Sequence, residues 1–348
     1  MKYRLLAIGT KFGASWMEAA QANPHWEIAG LVARSKENRE GPGKKFGIPL
    51  ERQYASVEDA LKKCPDIDAV VVAVPNDVHH AIAAQVLDAG YHLILEKPIT
   101  ETWDQALDLI KRLDAHPGRK AMVGQTLRGE VNLRMMEYHL KQGIIGKVEQ
   151  MTFNSHWWWI DDPQKSWRFT LENMFLDDIG IHQFEVIRML AGNAKCKSLM
   201  AQTFTPPSYP LKYLKATASG IMTLENNVHV NYFGSMGSRG EAVGWYGRIE
   251  LFGEKGSMFR DPYGEPYVIL HGEKQKTGLD IDNLDEVLPF IEYEKIAYLL
   301  EDFAHAIADN RPPITDLHNN IHTHAILLAM KKSAKEGRLI DIPKEFPY

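Results

Sequence analysis

The segment Gly9-Thr10-Lys11-Phe12-Gly13-Ala14 follows an apolar run, Tyr3 to Ile8, without a gap. A G-x-G-x-x-G/A turn between a strand and a helix bends tightly, lets backbone approach a pyrophosphate and packs the helix on the sheet. Gly9 and Ala14 take the first and third places, with Phe12 and Gly13 inside the turn, but Lys11 fills the second. Glycine normally clears room for phosphates there. Either Lys11 swings outward and adds its charge to phosphates at the helix N-terminus, or cofactor binding is altered or lost. About 20 residues further on, an NAD site usually offers an acid to the ribose hydroxyls. Ala33-Arg34-Ser35-Lys36 occupies that place and carries no carboxylate. Arg34, Ser35 and Lys36 together suit a 2′-phosphate, so NADP is favoured over NAD; the plainer reading is a solvated loop after a strand.

The elements that must hold this turn are legible in the first 125 residues. Apolar runs at Tyr3–Ile8, Trp26–Val32, Asp68–Val74, His92–Leu95 and Ala121–Val123 alternate with helical stretches such as His79–Ala89, which stops at Gly90. Continuous β-branched runs suit strands covered on both faces, and strand–helix alternation predicts a parallel sheet with right-handed crossovers. Three polar sets close these strands: Pro75-Asn76-Asp77-Val78-His79, Glu96-Lys97-Pro98 and Gly124-Gln125-Thr126-Leu127-Arg128. All sit at carboxyl ends, the edge where doubly wound sheets place ligands.

After Gly124 the pattern changes. A helix is expected from about Asn132 to Gln142, then alternating segments at Val148–Trp158, Ala216–Phe233 and Gly247–Phe259, and closing helices at Glu294–Asp309 and His318–Glu336. Alternation with polar and aromatic residues fits an antiparallel sheet with one wet face. The expected architecture is an α/β Rossmann domain, a doubly wound parallel sheet, over residues 1–124. It is followed by an α+β domain with a large, predominantly antiparallel open sheet over 125–348, whose last helices could pack back on the first domain.

Composition narrows the partners. Lys+Arg 40 against Asp+Glu 45 in 348 residues leaves a net charge of −5, without the basic footprint of a nucleic-acid binder. No apolar run approaches the roughly 18 residues of a membrane span, and Leu5 to Ile8 is too short for a signal-peptide core. Cys64 and Cys196 are too few for a disulfide framework or a Cys-rich zinc site. The chain reads as a cytoplasmic protein with no nucleic-acid and no membrane partner.

Asp178-Ile179-Gly180-Ile181-His182 opens a further helix that closes at Ala191-Gly192-Asn193. Taken with Glu96-Lys97-Pro98, in this order and spacing, the set resembles the Gfo/Idh/MocA oxidoreductase family over essentially the whole chain. The resemblance implies an NAD(P)-dependent oxidoreductase acting on a sugar, cyclitol or sugar derivative, associating as a homodimer or homotetramer through the outer face of the second domain's sheet. It matches Lys97 to the family's catalytic lysine, and Asp178 and His182 to its aspartate–histidine pair. The chemistry suits these types. Histidine can hold the alcohol proton in either direction near neutrality. Lysine places positive charge beside a developing alkoxide. Asp178, four residues before His182 on one helix face, orients either the imidazole or a substrate hydroxyl. Glu96 supports the lysine or the nicotinamide ribose, and Pro75, Asn76 and His79 line the cofactor side.

Departures qualify the transfer of substrate. A Gly-Gly-Gly stretch common in the family is replaced by Glu172-Asn173-Met174, so Glu172 and Asn173 either read substrate hydroxyls or rebuild a loop. Glu172 also opens an alternative: a redox-neutral lyase or glycosidase that uses tightly held NAD through a transient keto intermediate. Arg128 and Arg168 are candidates for substrate binding, Arg168 toward a carboxylate or a hydroxyl. Trp158, in the run Trp157-Trp158-Trp159, faces opposite to its neighbours, so at least one indole belongs to the core or a subunit interface. Trp158 is the candidate stacking surface for a sugar ring, with core or interface as the plainer reading, and His156 is a weaker contact. His318, His322 and His324 lack a complete ligand set and read as a solvated helix face, and the aspartate–histidine pair is not expected to bind an ion, so no metal is expected.

Overall fold

The computed structural model describes residues 2–160, 167–262, 264–279, 281 and 284–348. The chain divides into two compact units, one of residues 1–129 with 290–321 and one of 130–289 with 322–348. In the first, β1 (Tyr3–Ile8), β2 (Trp26–Val32), β3 (Gln53–Tyr54), β4 (Ala69–Val72), β5 (His92–Leu95) and β6 (Ala121–Val123) form a sheet in the order β3-β2-β1-β4-β5-β6. Every pairing is parallel. The connections are α1 (Gly13–Ala22), α2 (Lys36–Phe46), α3 (Val57–Lys63), α4 (His79–Asp88) and α5 (Trp103–Asp114). All residues of β4, β5 and β6 are buried, which is why these strands read as unbroken apolar runs. β3 has only two residues, too few to show as such a run, so the sequence reveals five of the six strands. Ser35, Ser56 and Thr102 cap α2, α3 and α5 with their side-chain oxygens, satisfying N–H groups that have no partner inside the helix.

The chain returns to this unit at residues 290–321. Tyr298, Leu299, Leu300, Phe303 and Ala304 of the helix Lys295–Ala308 share a core with Trp16, Met17, Ala20 and Trp26. The Trp26 and Phe303 rings stack at 6.1 Å and 6°, and Trp26 Nε1 donates to the Leu300 carbonyl at 2.9 Å. A buried indole thereby keeps its polar tip satisfied while burying its apolar body.

The second unit holds α6 (Val131–Lys141), β7 (Val148–His156), α7 (Ile181–Leu190), β8 (Cys196–Phe204), β9 (Thr217–Leu224), β10 (His229–Ser235), β11 (Arg248–Gly253), β12 (Gly256–Arg260), β13 (Tyr267–Leu270), β14 (Thr277–Gly278) and α8 (Leu284–Val287). After α9, the Lys295–Ala308 helix, come α10 (Leu317–Glu336), β15 (Ile340–Asp341) and α11 (Ile342–Glu345). The nine-stranded sheet runs β14-β13-β12-β11-β7-β10-β9-β8-β15 and is antiparallel except between β7 and β10. Burial alternates along β7, β8 and β10, with Met151, Phe153, Leu199, Ala201, Val230 and Tyr232 on the covered face. The fold class expected from the sequence holds. Two of the expected alternating segments are hairpins. The 216–233 stretch turns at Asn227, whose φ is +64°, and the 247–259 stretch turns between Gly253 and Gly256. β8 escapes the sequence reading altogether.

Burial leaves a titration signature. His92 in β5 is 5% exposed, accepts the Lys120 amide at Nδ1 (3.0 Å) and meets Phe303 edge-on. Desolvation, then the nearby Arg119 and Lys120, lower its pKa to about 4. Burial holds His324 and half-buried His322 at about 3. The folded chain keeps these rings neutral while the unfolded chain protonates them near 6.5. Their stability contribution is therefore complete above about pH 6.5 and is lost as pH falls toward 4, by about 3 kcal/mol for His92. Urea denaturation between pH 7 and 4 should show this slope, reduced in His92→Asn; an identical slope in the variant would contradict the account.

Candidate active site

In the first unit, the strand–turn–helix at β1 leaves no room at its first glycine. Gly9 has φ +90°, and a Cβ there would stand 2.1 Å from the Ala73 carbonyl oxygen. Its amide donates to the Val32 carbonyl at 3.0 Å. Gly13 is buried and opens α1, Ala14 is half-buried, and Lys11 and Phe12 are exposed. The α1 N-terminus has no side-chain cap and no acid in its first turn. Its N–H groups, with the Lys11 charge beside them, fit the phosphates of a dinucleotide. After β2, Arg34 and Ser35 are exposed. Ser35 Oγ accepts the Asn38 amide at 3.2 Å, and Arg39 Nη1 ties down the carbonyls of Ala33 (2.7 Å) and Arg34 (2.8 Å).

The strand ends beyond this turn are fastened by buried polar groups. Pro75 and Asn76 enter a short 3₁₀ turn ahead of α4. His79, wholly buried, bridges the Pro98 carbonyl (Nδ1, 2.8 Å) and the Val74 carbonyl (Nε2, 2.9 Å). Burial lowers its pKa, so the neutral ring donates to only one of them and spans the segments after β4 and β5. Glu96 is also buried; Oε1 accepts from Trp16 Nε1 at 2.7 Å and Oε2 from the Lys97 amide at 3.2 Å. A Cβ at residue 124 would stand 2.8 Å from Glu96 Oε1, which explains Gly124 at the end of β6. Lys97 is half-buried and precedes Pro98 through a cis bond. Arg128 lies buried in the 3₁₀ turn Thr126–Gly129.

In the second unit, Asp178 sits in a π-helical turn, Leu176–Gly180, that runs into α7. The wider turn re-aims Asp178 relative to the regular α spacing expected, and such turns recur at functional sites. The Asp178 carboxylate accepts Arg168 Nε at 2.6 Å, with side-chain exposures of 10% and 35%. Asp177 pairs instead with Lys331 at 2.9 Å. His182 is buried, its ring edge-on to Trp245 at 5.7 Å. Gln183 fixes that neighbourhood: Nε2 donates to Ser155 Oγ and to the Trp245 carbonyl, both at 2.8 Å, and Oε1 accepts Tyr232 Oη at 2.6 Å.

The remaining expected residues are placed as follows. Glu172 is exposed and Asn173 half-buried, with their carbonyls accepting the amides of Lys215 (2.7 Å) and Asp177 (3.0 Å). Met174 is core. Trp158 is half-buried beyond the end of β7, packs on Tyr209 and carries the Arg239 guanidinium 4.2 Å over its ring. The half-buried His156 donates from Nδ1 to Asn154 Oδ1, 3.0 Å away. The α10 histidines are not a solvated face: His324 is fully buried and His322 packs against Tyr348, while His318 pairs with Asp114 at 3.2 Å. Trp16, Gln183 and Trp245 were missed. Gln183 adjoins His182 in sequence, but nothing local marks the other two.

Comparison with known proteins follows the same division. Residues 3–125 match the family model described as "Oxidoreductase family, NAD-binding Rossmann fold", and 133–259 match the GFO/IDH/MocA C-terminal domain. Myo-inositol 2-dehydrogenase of Thermotoga maritima is 24% identical, covering 85% of each chain. Levoglucosan dehydrogenase of Pseudarthrobacter phenanthrenivorans is 29% identical over 58% of this chain and 48% of its own. The crystal structure of an oxidoreductase from Agrobacterium radiobacter, in complex with NAD+, L-tartaric acid and magnesium, shares the fold at a TM-score of 0.86 and 19% identity, covering 99% of this chain and 100% of that one. Among the described residues, no helix is long and apolar enough to cross a membrane.

The Arg168–Asp178 pair yields a thermodynamic test. Arg168→Gln removes one charged partner from a nearly buried carboxylate and should cost about 1–3 kcal/mol. Asp178→Asn in the same chain should recover most of that loss in a double-mutant cycle by chemical denaturation; additive losses would show that the pair is not coupled.

Proposed function

The chain belongs to the Gfo/Idh/MocA oxidoreductase family, and we propose that it moves a hydride between a nicotinamide dinucleotide and a secondary alcohol or ketone of a sugar, cyclitol or related derivative. The observation that carries this reading is Lys97, issuing from the clamped Glu96 at the carboxyl edge of the parallel sheet. A nicotinamide dinucleotide held at the β1–α1 turn would supply the hydride chemistry. Lys97 holds positive charge for the oxygen of the reacting carbon, where charge aimed in advance lowers the barrier most. His182 takes the alcohol proton in oxidation and returns it in reduction. Asp178, charge-paired with Arg168, orients the imidazole or the substrate hydroxyl. Arg128, Trp158, Glu172 and Asn173 are the substrate-side candidates, and the names of the inositol and levoglucosan relatives support a carbohydrate-like substrate. The relatives' dehydrogenase names, with an exposed Glu172, leave the redox-neutral alternative without support.

NADP(H) is the preferred cofactor in this reading. Ala33-Arg34-Ser35 after β2 carries no carboxylate, and Arg34 is an exposed cation. Lys36 at the start of α2 pairs with Glu40 at 3.5 Å, and Arg39 holds the loop through the carbonyls of Ala33 and Arg34. Titration with NADPH and NADH, followed by turnover on a polyol and ketose panel, tests the whole. NADPH should bind about tenfold tighter than NADH, and Arg34→Ala should lose about that factor for NADPH alone. Lys97→Met should bind cofactor as the parent does while turnover falls about 10²–10³-fold. Failure of either cofactor to bind, or full activity in Lys97→Met, contradicts the proposal.

The open face of the second unit's sheet is the surface through which copies of the chain associate. Ile221 is 57% exposed there, beside its cross-strand partner Met200, and Phe204 is also bare. The face carries a depression of about 430 Å³ between β7, β8, β9 and β10. Exposed apolar groups clustered on one sheet face mark an interaction surface. Sedimentation should find a dimer or tetramer that Ile221→Glu dissociates; a monomeric parent chain refutes the assignment.

A further inference from the structure

Away from the residues considered so far, the first unit brings two imidazoles onto a single carboxylate oxygen. Glu301 lies in α9 and is 5% exposed. Its Oε1 stands 3.4 Å from His25 Nε2, in the turn between α1 and β2, and 3.2 Å from His305 Nε2, one helical turn along α9. The other oxygen, Oε2, accepts Asn23 Nδ2 at 2.7 Å, and the Asn23 side-chain oxygen in turn accepts the His25 amide at 2.8 Å. Phe290 stacks on His305 at 4.6 Å, and the His25 ring meets His305 edge-on at 5.3 Å.

We propose that His25, Glu301 and His305 bind a zinc ion that fastens α9 to the α1–β2 turn. The separations suit an ion, although the His305–Glu301 distance of 3.2 Å also allows a hydrogen bond. Zinc bonds to nitrogen and carboxylate oxygen of about 2.0–2.1 Å imply tetrahedral ligand–ligand edges of about 3.3–3.4 Å. The Nε2–Oε1 distances of 3.4 and 3.2 Å fit those edges. Charge-assisted N–H···O bonds are shorter, about 2.7–2.9 Å. All three residues place a donor atom within 4.8 Å of one another. Two imidazoles and one carboxylate form a set suited to zinc, whereas calcium and magnesium take oxygen ligands. The imidazoles are 42% and 36% exposed at their side chains, which leaves solvent to supply the fourth ligand. Asn23 does what an outer partner of a metal ligand does: it holds the carboxylate in one orientation.

Its bridging residues explain why the sequence conceals the site. Asn23 and Glu301 are 278 positions apart, and only Glu301 and His305 show helical ligand spacing. The ion would tie the returning segment to the nucleotide unit, so its readout is stability and not turnover.

The test uses the full-length protein stripped with a chelator, dialysed, and titrated with Zn²⁺ alone by calorimetry and by thermal denaturation. One Zn²⁺ should bind per chain and raise the melting temperature by about 3 °C or more, while Ca²⁺ at the same concentration does neither. His25→Gln and His305→Gln should each weaken Zn²⁺ binding at least tenfold, and Asn23→Ala by about tenfold. Both histidine variants should melt with the stripped parent, which separates lost metal from lost fold. Co²⁺ should give the visible absorption of a tetrahedral site in the parent only. A parent that binds no Zn²⁺, or histidine variants that bind it as tightly as the parent, overturns the proposal.

Discussion

A carboxylate buried at the end of β5 constrains much of the first unit. Glu96 must be satisfied where water does not reach it. One oxygen takes the Trp16 indole N–H and the other the amide of Lys97. The first bond anchors α1, and therefore the turn that precedes it, to the strand end. The second turns the chain so that Lys97 leaves that strand end half-buried. Gly124 completes the arrangement by having no side chain to collide with the carboxylate. His79 adds a second fastening by spanning the carbonyls of Val74 and Pro98. The carboxyl edge of the sheet is therefore a set of rigid polar anchors, although loops form it.

The second unit solves the same problem with a neutral group. Gln183 uses both its oxygen and its nitrogen, joining α7 to β7, β10 and the segment at Trp245. Because Gln183 follows His182 directly, the network sets the height and rotation of the helix that carries the imidazole. The neighbouring π turn lets two adjacent aspartates serve different cations: Asp178 meets Arg168, and Asp177 meets Lys331.

The sequence disclosed the fold well where burial has a period. Five of the six strands in the parallel sheet show as apolar runs, and the alternation in the second half announced a sheet with one open face. It failed where an element is too short to have a period, as in β3, or where a hairpin turn lies inside one alternating stretch, as at Asn227. The site divides similarly. Lys97, Asp178 and His182 could be named because they fall in local motifs. Trp16, 80 positions from Glu96, and Trp245, 62 from Gln183, draw their significance from partners that only the folded chain supplies. The α10 histidines show the opposite error, since for want of a complete ligand set they read as a solvated face while the packing buries His324.

The return of α9 has a consequence for how the molecule is made. The core built on Trp26 includes Leu299, Leu300 and Phe303, contributed near the end of the chain. A ribosome releases the N-terminal 129 residues long before those side chains exist, and a nascent chain folds by the units it has available. The nucleotide unit is thus begun first but cannot close until most of the second unit has been made. Until α9 arrives, Trp16, Met17 and Trp26 lack part of their cover, and the newborn chain presents an apolar surface of the kind chaperones hold.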